Sequence, residues 1–528
     1  MVENKRPTAG GAQAVEYPII CPYCFNQAAG GRPFSHKDVH FRAETVYPNL
    51  HAIEQMMGKR KVDIEMMTNT KEQAAAMSQF EAAERFLQKD DPIYNRFWSD
   101  YNSTSEQESR MDNGIKPWTR PVIRYGDGVS RLVTDSDGFV VAAVDNFGKT
   151  THRRVCPHCH NPLPLGFGKN PVKNISIIGI TGAGKTVYIS QLLKGMVDYA
   201  AKSGLAAFFT SDHESNFIAA NQVAKGKPLP DSTLPNSLSQ PMFYDIIQSN
   251  GSSKKTDTIV LYDIAGENCR SAADMVRFAR FIEHSDGLIL LIDPKQLNFT
   301  SDCDEENVDA PSLALNTLHG VITGQQGRKC TIPMAVCVSK SDQCFDILPS
   351  MAQEHIQVAR RNEMGVIAKE FDGSAYNQLS QEMTRLIENN ALSVCNILQD
   401  NYLNFNFFAV SAIGCDCTKN ENGVFAPSMK PEPRRIEEPI LWLFKQFGFI
   451  RSNTKVLRPY PIKQPDQYVW KSVFIGGKYI LVEGELAKYE EDKIREHVVF
   501  VGGKRDGEVV PIGEGKTREA VIREGGKK

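Results

Sequence analysis

The chain has 528 residues, of which 41% are hydrophobic and 23% are charged, a composition of folded globular domains that excludes wholesale disorder. Its 61 Lys and Arg against 63 Asp and Glu give a formal net charge of −2, which does not favour nucleic acid as a partner. The length predicts about three domains.

The start of the chain, residues 1–16, is predicted to be a flexible N-terminus, and it lacks the apolar core of a secretory signal. The apolar run GLILLID near the middle of the chain is far shorter than the ~20 residues that a membrane-spanning helix needs. We therefore expect a cytoplasmic protein without a membrane span.

Two C-x₂-C pairs mark residues 17–170. They comprise Cys21, Cys24, Cys156 and Cys159. Four thiolates fill a tetrahedral zinc site and leave no open position, which is the structural kind of zinc site. Because residues 43–101 are predicted to be helical and short strands are predicted after them, we expect a zinc ribbon interrupted by a mixed helical and β insertion. A redox pair, unrelated thiols, and ligation by His158 or His160 are the alternatives.

Apolar strands and helices alternate over residues 171–450. Strands such as NISIIGI and GLILLID are continuously apolar, as in a buried parallel sheet, and long helices are predicted between strands, notably at 351–370 and 375–400. The alternation predicts an α/β fold with a doubly wound, mostly parallel sheet. The segments PMFYDIIQ and TDTIVLYDI predict a hairpin that adds one antiparallel strand at the sheet edge. Residues 451–528 predict a small β-rich C-terminal segment.

A phosphate-binding loop is predicted between the first strand of this sheet and the helix after it. The segment GITGAGKT fits the pattern G-x-x-x-x-G-K-[ST] in full. Glycines let successive backbone N–H groups point at phosphate oxygens, and the helix N-terminus adds partial positive charge. We expect Lys185 to bridge the β- and γ-phosphates and Thr186 to hold Mg²⁺. The nucleotide-binding residues of this loop are Gly179, Gly182, Ala183, Gly184, Lys185 and Thr186.

A second phosphate contact is predicted in the segment DIAGE, which follows the strand TIVLY. The carboxylate of Asp263 can reach Mg²⁺ through water. The backbone N–H of Gly266 can bond the γ-phosphate, which would make this segment sensitive to the nucleotide.

The segment SKSD, after the strand MAVCV, favours GTP over ATP. The carboxylate of Asp342 can accept both N–H donors of guanine, and the stem of Lys340 can pack along the base beside Ser339. Adenine offers no such donor pair and would leave the carboxylate unpaired, at a cost of ~1–3 kcal/mol or more. Ser411 and Ala412 follow the strand FFAV, where a backbone N–H can meet guanine O6.

Two other functions remain open for the same residues. A P-loop ATPase or kinase would make the position of Asp342 accidental, and a non-hydrolysing scaffold would use the nucleotide only to stabilise its fold. The GTP-binding switch is favoured because the four motifs occur in order, each at the carboxyl end of a strand, where open α/β sheets bind ligands.

These motifs resemble those of the TRAFAC-class P-loop GTPases. Within that class the chain resembles the bacterial double-GTPase family of the second type, through CPYC and CPHC ahead of GITGAGKT, YDIAGE, SKSD and EEPILWLF. The resemblance covers about residues 17–448. It implies GTP binding with Mg²⁺, hydrolysis of GTP, and a second GTPase from the same gene neighbourhood as partner, in bacterial conflict or signalling.

The resemblance also implies two catalytic residues besides Lys185. A switch threonine that covers Mg²⁺ would fall at Thr233, although Ser232 and Ser237 compete for the role. Glu267 stands where many relatives carry a water-orienting Gln, and Ser339 stands where Asn or Thr is usual. Because a carboxylate at Glu267 would lie near a negative γ-phosphate, we expect slow hydrolysis that depends on Arg270 or on an arginine from another subunit.

Overall fold

The computed structural model describes residues 15–44, 54, 57–87, 91–99, 120–146, 148–230, 240–250, 253–264, 266–269, 271–300, 309–324, 328–353, 359–363, 366–419 and 423–453, and four short strands between 471 and 511. Among these residues, no helix combines the length and the apolar composition that crossing a bilayer requires.

The first region carries a six-stranded sheet with helices inserted in sequence between two of its neighbouring strands. The strands are β1 (His40–Arg42), β2 (Val122–Tyr125), β3 (Gly128–Thr134), β4 (Val140–Asp145), β5 (Thr150–Thr151) and β6 (Arg154–Val155), in the order β5-β4-β3-β2-β1-β6. The helices are α1 (Lys61–Glu65), α2 (Thr70–Leu87) and α3 (Pro92–Ser99). Because β1 pairs with both β2 and β6, the strands before and after the inserted helices lie side by side in the sheet.

A buried polar network ties α3 to this sheet. Arg42 donates to Asp91 Oδ2 (2.8 Å) and to the carbonyl oxygen of His160 (3.1 Å), and His160 Nδ1 lies 2.8 Å from Asp91 Oδ1. Burial opposes the ionisation of Asp91, but the hydrogen bond with His160 and the charge of Arg42 outweigh it and lower the pKa of Asp91. Trp98 is fully buried, and its indole N–H donates to Asn161 Oδ1 (3.0 Å).

The second region is built on a seven-stranded sheet. Its strands are β7 (Val172–Gly179), β8 (Leu205–Phe209), β9 (Met242–Asn250), β10 (Ser253–Ile264), β11 (Gly287–Ile292), β12 (Met334–Val338) and β15 (Phe405–Ala409), in the order β15-β12-β11-β7-β10-β9-β8. The five strands from β15 to β10 pair in parallel, whereas β9 is antiparallel to both β10 and β8. Every residue of β11 and β12 is buried, as their apolar sequences require.

Two details of the second region differ from the sequence prediction. The predicted hairpin is present as β9 and β10, but the edge strand is β8, whose sequence LAAFF is too short for periodicity to reveal. Residues 359–370, expected to be helical, contain the antiparallel strands β13 (Ala359–Glu363) and β14 (Val366–Glu370). The good helix formers in this segment, such as Ala, Arg and Glu, are only weak evidence for a helix, because tertiary context can override helix propensity.

Helices connect the strands of the second region. They are α4 (Lys185–Lys202), α5 (Asp212–Ala220), α6 (Ala272–Phe278), α7 (Ala310–Thr323), α8 (Ser350–Gln353), α9 (Gly373–Asn390), α10 (Leu392–Asn401) and α11 (Glu438–Phe447). Two more antiparallel strands, β16 (Cys417–Lys419) and β17 (Phe425–Pro427), lie between β15 and α11. After α11 the chain forms the hairpins β18 (Lys471–Ile475) with β19 (Lys478–Val482), and β20 (His497–Val499) with β21 (Val509–Pro511).

The order of the strands positions the site. The chain continues from β7 through β8, β9 and β10 on one side, and β11, β12 and β15 follow on the other side. The strand order therefore reverses beside β7, and ligands of open α/β sheets bind at the carboxyl ends of the strands at such a point. All four predicted motifs follow strands that end there, namely β7, β10, β12 and β15.

Candidate functional site

The loop between β7 and α4 depends on its glycines. Gly182 (φ 85°) and Gly184 (φ 73°) adopt left-handed conformations, which favour glycine, and Gly184 caps α4. A Cβ at Gly179 would lie 2.6 Å from Cβ of Lys185, so that position has no space for a side chain. The Gly-x-x-x-x-Gly spacing thus folds the backbone into a tight turn over the first turn of α4, the arrangement that binds phosphates.

Lys185 and Asp263 form an ion pair beneath this loop. Both side chains are almost fully buried, with relative exposures of 7% and 8%. Asp263 comes within reach because β10 pairs in parallel with β7, and Asp263 is in register with Ile177. Buried charges require such a partner, because an isolated charge in the interior would lose its hydration without compensation.

The SKSD segment is fastened to the ends of the neighbouring strands. The backbone N–H and the hydroxyl of Ser339 both donate to the carbonyl oxygen of Ile292, at 2.9 Å and 3.0 Å. Lys340 has a left-handed backbone (φ 46°), and its ammonium donates to Asp293 Oδ2 (2.7 Å). Its Cε atom lies 3.8 Å from where a Cβ at Gly184 would be, so the Lys340 stem passes beside the phosphate-binding loop.

Asp342 is held by the serine of the last motif. The hydroxyl of Ser411 donates to Asp342 Oδ1 (2.5 Å) and accepts from the N–H of Gly414 (2.9 Å). A carboxylate has about four lone-pair positions, so Asp342 keeps acceptor capacity after this bond. Burial raises the pKa of the nearby Cys344 thiol to about 12, and the carboxylates of Asp342 and Asp293 add to the shift, so this thiol stays neutral.

One cavity of about 810 Å³ brings these segments together. Its lining includes Gly179, Gly182, Ala183, Gly184, Lys185, Thr186, Ser339, Lys340, Asp342, Ser411 and Ala412. Lys185 and Asp342, which are far apart in the sequence, therefore face one space, and its volume is in the range of small-molecule sites.

The remaining predicted residues lie at or just beyond the end of β10, or outside the described part of the chain. Asp263 adjoins the cavity through the ion pair with Lys185. Gly266 and Glu267 begin a short 3₁₀ turn, Gly266–Cys269, beyond the end of β10. Thr233, its competitors Ser232 and Ser237, and Arg270 lie outside the described residues.

Sequence reasoning missed the turn that supports both motifs. Asp293 accepts from the N–H of Lys295 (3.0 Å) and from the Lys340 ammonium, so it caps the 3₁₀ turn Pro294–Leu297 and holds the SKSD segment. In the same turn, the Gln296 amide donates to the carbonyl oxygen of Thr181 (3.0 Å) and fixes the phosphate-binding loop. An Asp-Pro pair directly after the buried strand GLILLI was the available signal.

The four cysteines of the two C-x₂-C pairs meet in space. Their sulfur atoms all lie within 4.8 Å of one another, with Cys21 and Cys159 at 3.7 Å and Cys24 and Cys156 at 3.8 Å. A tetrahedron of Zn–S bonds of ~2.3 Å has edges of about 3.8 Å. The cluster therefore has the dimensions of a Cys₄ zinc site.

The two cysteine loops share one backbone turn. The residue after each second cysteine, Phe25 or His160, has a left-handed φ (47° and 56°), and its N–H donates to the carbonyl oxygen of the first cysteine of its pair at 3.0 Å. The N–H of Tyr23 and of His158 points at the sulfur of that cysteine (3.4 and 3.3 Å). Among the described residues, no histidine joins the group of candidate ligands.

The cysteine cluster adjoins the strand that leads to Asp263. The hydroxyl of Tyr262 donates to the carbonyl oxygen of Pro22 (3.1 Å), within the first cysteine pair. Phe25 stacks on His284 (4.6 Å between ring centroids), and Tyr262 stacks on Phe281 (4.2 Å). The first cysteine pair is thus joined by a direct hydrogen bond to Tyr262, the residue before Asp263.

Comparison with known proteins gives matches that cover different parts of the chain. A model of the Double-GTPase 2 family matches residues 173–393, less than half of the chain. Over 333 residues, the chain is 23% identical to SaeC of Mycolicibacterium smegmatis, whose name describes an ESX-1 scaffolding and assembly protein; the match covers 56% of this chain and 80% of SaeC.

Solved structures also match, at low identity. Sup35 complexed with GMPPNP is 12% identical over 46% of this chain and 38% of its own (TM-score 0.19), and SelB from Methanococcus maripaludis with GppNHp is 13% identical over 46% and 30% (TM-score 0.18). The S. cerevisiae Ski7 GTPase-like domain bound to GTP is 12% identical over 59% and 58% (TM-score 0.23). This chain spans less than two thirds of each of these three. From the motifs and the family match, the chain contains a P-loop GTPase that resembles the double-GTPase family.

Proposed function

We propose that this protein is a GTP-binding switch that hydrolyses GTP slowly. The observation that carries the proposal is the shared cavity of Lys185 and Asp342, because one group suits phosphates and the other suits guanine. The family match over residues 173–393 supports it.

The phosphate end of the cavity fits a triphosphate with Mg²⁺. The glycine turn and the start of α4 offer backbone N–H donors, and Lys185 offers a cation. Thr186 and Asp263 offer the hard oxygen ligands that Mg²⁺ prefers. Both charges of the Lys185–Asp263 pair can thus bind the ligand: the ammonium binds phosphate oxygens and the carboxylate binds the metal.

The base end fits guanine. Asp342 has free acceptor positions for the two N–H donors of guanine, while Ser411 keeps the carboxylate in place. Lys340 passes between the base end and the phosphate loop, and its pairing with Asp293 fixes that path. Ala412, beside Ser411, offers the backbone N–H for guanine O6.

We infer that three residues carry out the slow hydrolysis of GTP. We assign catalytic roles to Lys185, to Thr233 as the switch threonine and to Glu267 as the residue that polarises the attacking water. A carboxylate at Glu267 repels a negative γ-phosphate, so the rate depends on an arginine, from Arg270 or from a partner.

We also propose that the four cysteines hold one structural Zn²⁺. Their sulfur spacing and the N–H groups that point at Cys21 and Cys156 fit thiolate ligands. In this proposal residues 17–170 form a zinc ribbon with its insertion, residues 171–450 form the GTPase domain, and residues 451–528 form a C-terminal β segment.

A protein partner completes the proposal. The family resemblance suggests a second GTPase in a bacterial conflict or signalling system, and the name of SaeC suggests assembly work. We place the protein in the bacterial cytoplasm.

The proposal is tested by calorimetric titration of GTP and ATP into the purified chain with Mg²⁺. We expect GTP to bind about 5- to 150-fold more tightly, since adenine would leave the Asp342 carboxylate unpaired, at about 1–3 kcal/mol. Equal affinity, or a preference for ATP, would instead favour an ATPase or kinase.

A non-hydrolysing scaffold is the second candidate function, favoured by the name of the 23% identical SaeC. Phosphate release at saturating GTP separates the two. A switch predicts release above that of Lys185→Ala, whereas equal rates for both proteins would assign the nucleotide a stabilising role only.

A further inference from the structure

A short hairpin follows the SA motif and reaches the nucleotide cavity. Its strands β16 and β17 pair from Cys417 with Pro427 to Lys419 with Phe425. A distant segment joins the hairpin: the N–H of Gly226 donates to Pro427 O (2.9 Å), and the N–H of Leu229 donates to Phe425 O (3.0 Å). We call residues 417–419, 425–427 and 226–230 the cavity wall.

Backbone hydrogen bonds connect the chain around the hairpin to the SA motif. Ser411 and Arg434 exchange two of them, at 3.0 Å and 2.7 Å, and the N–H of Glu432 donates to Ile413 O (2.8 Å). Gly414 (φ 68°) has no space for a Cβ, which would lie 2.0 Å from the carbonyl oxygen of Glu432. The wall is therefore anchored on the motif that also holds Asp342.

The wall presents an apolar surface to the cavity. Leu229, Pro230 and Phe425 line it together with Lys185 and Asp342. Phe425 is 51% exposed, so this large ring is not part of the packed core. The Lys419 ammonium lies over this ring, 5.4 Å from its centroid, so a nucleobase can stack on the face that Lys419 does not occupy.

The polar residues that line the cavity leave one face of the base and the ribose without a contact. The glycine turn and Lys185 serve phosphates, and Asp342 serves the edge of the base. Lys340 can pack its stem along one face of the base, but none of these groups covers the ribose or the other face of the base, which is the least polar part of a nucleotide. The wall supplies the matching apolar surface.

We propose that the cavity wall packs against the base and ribose of the bound guanine nucleotide through Phe425 and Leu229, and thereby slows its release. The inference rests on the proposed GTP binding. Since the wall contacts neither the γ-phosphate nor the edge of the base, it affects GDP and GTP alike and leaves the preference for guanine to Asp342.

The test measures release of tritiated GDP by filter binding and affinities for unlabelled GDP, GTP and ATP by calorimetry, on the full chain. For Phe425→Ala we expect release about 5- to 100-fold faster, the range that loss of one base–aromatic stack gives. The affinities for GDP and GTP should fall by the same factor, with the ratio of GTP to ATP affinity unchanged. Leu229→Ala should have a smaller effect, and Phe425→Tyr, which keeps the ring, should release GDP at the wild-type rate.

Val424→Ala is the matched control, because Val424 is exposed on the same hairpin and does not line the cavity. Release of GDP from Phe425→Ala at the wild-type rate would overturn the proposal. Faster release from Val424→Ala or Phe425→Tyr would also overturn it, because either result would indicate a loosened hairpin. A loss of GTP affinity without loss of GDP affinity also overturns it. If the wild-type chain retains no GDP, the proposed function fails as well, which distinguishes the two failures.

Discussion

Replacing Asp342 by Asn tests the base assignment most directly. The substitution keeps the size of the side chain and an oxygen that can still accept from the Ser411 hydroxyl, which now lies 2.5 Å from Asp342 Oδ1. It removes the negative charge and turns an N–H donor toward the cavity. A guanine base, which presents two N–H donors to this group, would then meet another donor.

The expected loss follows from two charge-assisted hydrogen bonds. Each is worth about 1.5–3 kcal/mol, and Asp342 is only half-buried, so we take the lower value for both. The total of about 3 kcal/mol corresponds to a roughly hundredfold weaker affinity for GTP. Xanthosine triphosphate carries a carbonyl oxygen in place of the exocyclic amine, so its affinity should rise for Asp342→Asn.

Calorimetry with GTP, xanthosine triphosphate and ATP, at constant Mg²⁺, measures the change. Asp416→Asn is the matched control, because Asp416 is an exposed carboxylate that lines the same cavity outside the motif. We expect the control to bind GTP within about threefold of wild type, since an exposed charge contributes little. Unchanged GTP affinity of Asp342→Asn, or an equal loss in both variants, would refute the assignment of Asp342 to guanine.

Three further predictions follow from buried groups. Lys185→Ala should lower the free energy of unfolding without nucleotide by about 3–5 kcal/mol, because Asp263 loses its buried cation; denaturant unfolding measures it, and a loss below about 1 kcal/mol would contradict the buried pair. Metal analysis of protein purified without added metal should return about one zinc per chain. Cys159→Ser should lose most of this zinc, while Cys269→Ser, which lies outside the cluster, should keep it. A wild-type zinc content in Cys159→Ser would refute the Cys₄ site. Burial lowers the pKa of Lys445 to about 8, so charging this lysine penalises the folded state below about pH 8, and the penalty disappears as the pH rises to about 10.4. Lys445→Met should therefore raise the free energy of unfolding by up to about 3 kcal/mol at pH 7 and by little near pH 10.5, and a gain independent of pH would argue that packing, not charge, causes it.

Much of the candidate site could be predicted from sequence because its motifs are local. The glycine spacing of GITGAGKT encodes a backbone turn, and Gly182 and Gly184 adopt the left-handed conformations that this turn needs. Each cysteine pair likewise encodes its own turn, which recurs at Phe25 and His160. The helix expected at 351–370 was wrong over its second half, because composition alone does not distinguish a polar helix from the hairpin of β13 and β14.

The amino-acid sequence alone determined the order of the motifs and the strands that carry them, since apolar periodicity and glycine spacing act over a few neighbouring residues. Only the tertiary structure decided which distant residues meet. The pairing of Lys340 with Asp293, the bond from Tyr262 to Pro22 and the joining of Leu229 to Phe425 all link segments far apart in the chain. Such contacts depend on how strands order themselves in a sheet, and no short stretch of sequence records that order.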